Sequence, residues 1–172
     1  GSSIGRMVVY KDEAYFSADD GTHGSELWKT NGTTEGTIMV KDIAPGSTGS
    51  KPGHLIEWNN VLYFSAYHPD TGTELWKTEG TTETTLLVKD LTEGAASTQP
   101  GYITTGSCGL YFNGLSSLKL YFSDGTPGGT ILISDQIRVG QLDEAYFTEF
   151  KDEMYFRAKD QISGTGSQLW KV

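Results

Sequence analysis

The chain has 172 residues, enough for one domain with a core of its own. Its formal net charge of -9 argues against nucleic acid or an anionic membrane surface as the main partner, because both reward Lys and Arg. Only 36% of residues are hydrophobic, while 22 Gly and 12% aromatics suit many short strands joined by tight turns. No 11-residue window keeps a helical apolar period without Gly or Thr interrupting it. No stretch approaches the roughly 18 apolar residues of a membrane span. The start carries no signal peptide, and its "GSS" reads as a cloning remnant. The single cysteine, Cys108, allows no internal disulfide and reads as a small apolar strand residue.

In chain order, the first segments predicted as strands are Arg6–Tyr10, Ala14–Ala18, Glu26–Thr30 and Thr37–Asp42. A second set, His54–Trp58, Leu62–Ala66, Glu74–Thr78 and Thr85–Asp90, repeats them. The doubled phrase is "ELWKTNGTTEGTIMVKDI" at 26–43 and "ELWKTEGTTETTLLVKDL" at 74–91. Lys11-Asp12 and Asn59-Asn60 mark turns, as do Asn31-Gly32 and Asp124-Gly125, whose Asn-Gly and Asp-Gly pairs accept positive φ. A longer Pro/Gly-rich loop, "APGSTGSKPG", hands one set over to the next.

The markers continue beyond the second copy. Tyr-Phe recurs at Tyr15-Phe16, Tyr63-Phe64, Tyr111-Phe112 and Tyr155-Phe156, in steps of 48, 48 and 44. Leu27-Trp28, Leu75-Trp76, Leu120-Tyr121 and Leu169-Trp170 follow them in the same order. Four antiparallel strands per 40–50-residue unit predict an all-β fold, a β-propeller of four repeated blades. The repeats fall at about 4–50, 51–98, 99–138 and 139–172 of a single domain spanning 1–172. The fourth copy supplies three strands, so its blade is expected to be incomplete, or the chain is a fragment of a larger ring. An open sheet edge there would favour self-association.

The phrase "ELWKTNGTTEGTIMVKDI" resembles the signature of the ELWxxDGT repeat family, found in large secreted or surface bacterial proteins and sometimes called hyalin-like. The resemblance spans nearly the whole chain and is strongest over 14–57 and 62–101. It implies a repeat scaffold at the cell surface or outside the cell, and no particular reaction. The motif's Asp is Asn31, Glu79 and Asp124 in successive copies, and its Gly is Gly36, Thr84 and Gly129.

Candidate site residues divide into three groups. Trp28, Trp76, Tyr121 and Trp170 recur, so they read as core between blades, with sugar-stacking platforms the alternative. Trp58 aligns with Tyr10 and Phe150, and Gly106 in the same place predicts a gap or pocket. Asp42, Asp90 and Asp135 lie 15 residues after the Leu of their repeats. They read either as an axial acidic ring able to hold a cation such as Ca²⁺, or as acceptors that fix the exit turn. The variable loops between second and third strands hold Asp19, Asp20, His68, Asp70 and Asp160, which read as solvated turn residues or as ligand and cation contacts.

His23, His54 and His68 lack metal-ligand spacing, and no nucleophile elbow or phosphate loop occurs. The expected function is therefore non-catalytic: a scaffold or binding module for protein or glycan, without a required cofactor. The alternative is a propeller-based carbohydrate-active enzyme with acidic residues at one mouth.

Overall fold

The computed structural model describes residues 7–134, 137–139, 147–160 and 167–172. Among them there is no helix, and sixteen strands form four antiparallel sheets. The first sheet runs β1 (Val8–Tyr10), β2 (Glu13–Asp19), β3 (Ser25–Thr30) and β4 (Ile38–Lys41) in that order. The second repeats it with β5 (Gly53–Trp58), β6 (Val61–His68), β7 (Gly72–Thr78) and β8 (Leu86–Lys89). The third holds β9 (Pro100–Thr105), β10 (Leu110–Gly114), β11 (Leu120–Ser123) and β12 (Ile131–Ser134). Each predicted strand of the first two copies has an observed counterpart within two residues at either end, except that Arg6 lies outside the described residues.

The fourth sheet departs from the three-strand expectation. β13 (Ile137–Val139) and β14 (Thr148–Phe150) both pair with β15 (Glu153–Asp160), against its far and near ends respectively. β16 (Gln168–Lys171) pairs with the other side of β15. The sheet thus reaches four strands by dividing its first strand in two. In the second and third sheets that strand stays whole and absorbs the irregularity as a bulge.

Turn chemistry follows from the sequence. Lys11 and Asp12 have φ of 49° and 62°, and Asn59 and Asn60 have 51° and 61°, the paired left-handed geometry of a two-residue hairpin. At Asn31-Gly32 and Asp124-Gly125 only the glycines are left-handed. The preceding side chain acts as a cap instead: Asn31 accepts from the Thr33 N–H at 3.0 Å, and Asp124 from the Thr126 N–H at 2.9 Å. Gly36 and Gly129 leave room for these caps, since a Cβ at either would overlap the Asn31 or Asp124 side chain. In the second copy Thr84 fills that room, and its hydroxyl accepts from the Glu79 and Thr81 N–H groups. The cap thus passes to position 84, and position 79 is released to carry Glu.

Burial occurs between sheets. One cluster joins the first and second sheets through Tyr15, Leu27, Val40, Phe64 and Trp76. Tyr63, Leu75, Val88, Phe112 and Tyr121 repeat it between the second and third. Leu120, Phe156 and Ala158, with Trp170 against them, repeat it between the third and fourth. In each junction a Tyr/Leu face meets the Phe/Trp face of the next sheet. The pairing register sets those faces, because Phe16–Trp28, Phe64–Trp76, Phe112–Tyr121 and Phe156–Trp170 stand directly opposite each other.

Two expectations are corrected. Gly106 opens no pocket: its carbonyl accepts from the Trp58 indole at 3.0 Å, and Tyr111 and Met154 close over its Cα. Cys108 is not a buried strand residue. It is exposed, in the Ser107-Cys108 turn closed by the Gly106 N–H to Gly109 carbonyl bond of 2.8 Å.

Candidate ligand-binding site between the second and third sheets

The linkers from one sheet to the next are held by a buried acid. Glu26 is fully buried, and its carboxylate accepts from the N–H groups of Ile43 (3.2 Å), Ala44 (3.0 Å) and Ser50 (2.9 Å), and from the Ser50 hydroxyl. Glu74 does the same 48 residues on, accepting from the N–H of Leu91 at 3.4 Å and of Thr98 at 2.7 Å. Burial raises the Glu26 pKa against these hydrogen bonds, and pushes that of Glu74 up to about 7. The backbones meet tightly, since a Cβ on Gly24 would lie 2.6 Å from the Gly49 nitrogen.

These anchors fix the residues that follow. The Lys51 N–H donates to the Ser25 carbonyl at 2.8 Å, and the Gln99 N–H to Thr73 at 2.9 Å. Four non-glycine residues then stand in the left-handed region, Lys51 (φ 51°), His54 (53°), Gln99 (54°) and Tyr102 (48°). Such conformations cost of order 1–3 kcal/mol each unless the surroundings impose them. Each member of one pair lies 48 residues from its mate, so the backbone shape belongs to the repeat. The side chains do not repeat: Lys51 is matched by Gln99, and His54 by Tyr102.

This repeated backbone carries a concavity of about 340 Å³, where Lys51, His54, Tyr67 and Gln99 converge with Ser65 and Thr73 beside Pro100 and Leu115. A second concavity of about 500 Å³ lies on the other side of His54, against Val8, Ile56 and Tyr102. The His54 and Tyr102 rings lie 6.2 Å apart. The His54 side chain reaches solvent, yet the concave wall around it lowers its pKa by desolvation. Neither lining includes an Asp or Glu.

The loop candidates lie elsewhere and form local turns. Asp19 accepts from the Gly21 N–H at 2.7 Å. Asp20 accepts from the N–H groups of His23 and Thr22, and its other oxygen lies 2.7 Å from the His23 ring. These contacts, the His23 N–H first, lower its pKa to about 2, and Asp20 in turn raises that of His23. His68 accepts from the Asp70 N–H at 3.2 Å and lies beside the Trp76 ring. Asp160 ends β15 opposite Ile137.

Asp42 and Asp90 follow β4 and β8, the last strands of their sheets, and each has a buried oxygen without a hydrogen-bond partner. The linker is fixed by Glu26 and Glu74, with Asp90 adding one bond from the Gly94 N–H at 3.1 Å. Asp135 lies outside the described residues. Among the described residues, no group of three or more His, Cys, Asp or Glu is placed to hold a metal ion.

Of the recurring aromatics, Trp76 and Tyr121 are each 6% exposed within their junctions. Trp170 is half-buried and donates its indole N–H to the Ala158 carbonyl at 3.2 Å. Trp28 is half-buried on the outer face of the first sheet.

Sequence reading missed Glu26 and Glu74, although both lie inside the doubled phrase. The available signal was an acid held at an inward strand position in both copies, with Lys119 and Gln168 replacing it later. A third concavity, of about 220 Å³, does contain two carboxylates, Glu79 and Glu83. Hydrogen bonds from its own N–H and from Thr81 lower the Glu83 pKa, opposite to the shift that lets a glycosidase acid keep its proton.

No protein-family model matches the chain. No curated protein matches it either. Among solved structures, it is similar to the crystal structure of the computationally designed Ika8 protein, with a TM-score of 0.55 and 16% identity. The match covers 99% of this chain and 46% of that one, so the chain spans less than half the length of the protein it resembles. Likeness at this identity concerns the fold alone.

Proposed function

We propose that the four sheets are blades of a β-propeller and that the chain is a non-catalytic binding module of a secreted or cell-surface bacterial protein of the ELWxxDGT type. Two features support the propeller reading: the Tyr/Leu-on-Phe/Trp packing recurs at every junction, and the first strands of the first three sheets approach one another. The observation that carries the binding reading is the repeated left-handed backbone with unrepeated side chains: Lys51, His54 and Gln99 line one concavity, and His54 and Tyr102 line the one beside it. A scaffold held constant while its chemistry varies is how repeat folds generate recognition.

The ligand proposed is a glycan. The lining offers a cation, amide and hydroxyl groups for sugar hydroxyls, and the Tyr67 ring for an apolar sugar face. The absence of a carboxylate from this lining favours binding over hydrolysis. A glycan array tests the reading. Binding that Lys51→Ala and His54→Ala both abolish, with unchanged circular dichroism, is the expected result; an array with no bound glycan overturns it.

A further inference from the structure

The three junctions inside the chain show what each kind of face accepts, and the two outer faces form a matching pair. On the fourth sheet, Leu169 is 75% exposed, whereas its counterparts Leu27, Leu75 and Leu120 are each 0% exposed. Phe150, whose ring lies 6.3 Å from that of Tyr155, is 58% exposed, against 3% for Tyr10 in the same place on the first sheet. Tyr155 is half-buried, where Tyr15 and Tyr63 are 1% and 3% exposed. The fourth sheet therefore presents a Tyr/Leu face with no following sheet on it. The first sheet presents the opposite kind: Trp28 is half-buried and Phe16 is 7% exposed, and neither belongs to a buried cluster between sheets among the described residues.

A socket in the first sheet makes the match specific. Within the chain, the tyrosine of one sheet packs on the turn glycine of the next. A Cβ on Gly80 would lie 2.5 Å from the Tyr15 hydroxyl, and a Cβ on Gly125 would overlap the Tyr63 hydroxyl. The same junction is pinned by the Lys77 ammonium, which donates to the Gly125 carbonyl at 2.8 Å. Gly32 is the counterpart of Gly80 and Gly125 in the first sheet, and nothing lies within 4 Å of the place its Cβ would take. The fourth sheet carries the complement, Tyr155 and Lys171.

We propose that the occupant of each outer face is a second copy of this chain, docked head to tail. Tyr155 of one copy seats on Gly32 of the other, with Leu169 and Phe150 against the Trp28 side of its first sheet. Applied twice, the contact closes two copies into one ring of eight sheets. A heterologous contact must either close in this way or run on as a filament. The proposal rests on the propeller reading above and is independent of the glycan reading.

Light scattering after size exclusion, across about 1–100 µM, tests it. The expected mass is twice the 18.7 kDa of one chain. Leu169→Glu and Gly32→Asn each alter an exposed position, and each is expected to halve the mass with unchanged circular dichroism. Mixing the two variants restores one good contact and is expected to return a dimer. A wild-type monomer overturns the proposal, as does a dimer unaffected by both variants, which would point to pairing along the edge of β16. A ladder of masses above the dimer overturns closure. Thiol labelling of Leu169→Cys in a Cys108→Ser background separates the two failures. A monomer with a shielded thiol is a four-sheet ring closed on itself, which keeps the propeller reading; a monomer with a reactive thiol removes both.

Discussion

The Glu74 carboxylate accepts a 2.7 Å hydrogen bond from the N–H of Thr98, 24 residues further along the chain, with no solvent exposure of Glu74. That contact ties the third strand of one sheet to the linker entering the next, and Glu26 with Ser50 repeats it. Removing the acceptor strands buried N–H groups, at about 1–3 kcal/mol each. Glu74→Ala is expected to lower stability by about 3 kcal/mol in urea unfolding, and Glu26→Ala by at least as much, since more donors converge on it.

The pH dependence follows from the same acid. Burial raises the folded-state pKa of Glu74 from 4.5 to about 7, so the folded state holds its proton more tightly than the unfolded chain. The associated stability is fully present below about 4.5 and is lost as pH rises through about 7, amounting to at most about 3 kcal/mol. Asp20 runs the other way: its pKa is lowered to about 2, so its contribution is lost only as pH falls below about 4. The melting temperature is expected to decline between pH 5 and 7.5, and Glu74→Gln is expected to flatten that decline. An unchanged slope in the variant would assign it to other groups.

Tyr15 and Gly80 meet across the first junction at a distance that leaves no room for a methyl group. Gly80→Ala is expected to lower stability by about 1–3 kcal/mol, through overpacking together with its φ of 103°. Adding Tyr15→Phe removes the hydroxyl and is expected to recover part of the loss. A double-mutant cycle with no coupling would leave the backbone conformation as the whole cause.

Leu75 and Leu169 hold the same place in the repeat, 0% and 75% exposed. Leu75→Ala is expected to cost about 2–5 kcal/mol. In dilute protein, Leu169→Ala is expected to stay within about 0.5 kcal/mol. Chemical denaturation of the two variants side by side checks the contrast.

Asp20 and His23 form an exposed pair in the first β2–β3 loop, where Asp20 raises the His23 pKa. Asp20→Asn is expected to lower the His23 midpoint in an NMR titration, and an unmoved midpoint would assign the shift to other groups.

The all-β class, the fourfold division and most strand ends of the first two copies were legible in the sequence. Tyr-Phe recurs at steps of 44 to 48 with Leu-Trp or Leu-Tyr following it, and turns are marked by Lys-Asp, Asn-Asn, Asn-Gly or Asp-Gly. These are local properties, carried by period-2 patterning and by the φ preferences of a few residues. The drift from Asn31 to Glu79 was visible too, although its reason, the cap passing to Thr84, required the turn itself.

Relations between residues far apart in the chain were decided by tertiary structure. Glu26 and Glu74 reveal their purpose only when the linker N–H groups arrive over them, because an acid inside "ELWK" reads as a surface charge until its solvent is gone. His54 shares one concavity with Lys51 and Gln99 and another with Tyr102 only because two copies of one bent backbone pack side by side. Leu27, Leu75, Leu120 and Leu169 are equivalent as letters. Whether each is buried depends on whether another sheet lies against it, a property of the assembled molecule that no local sequence encodes.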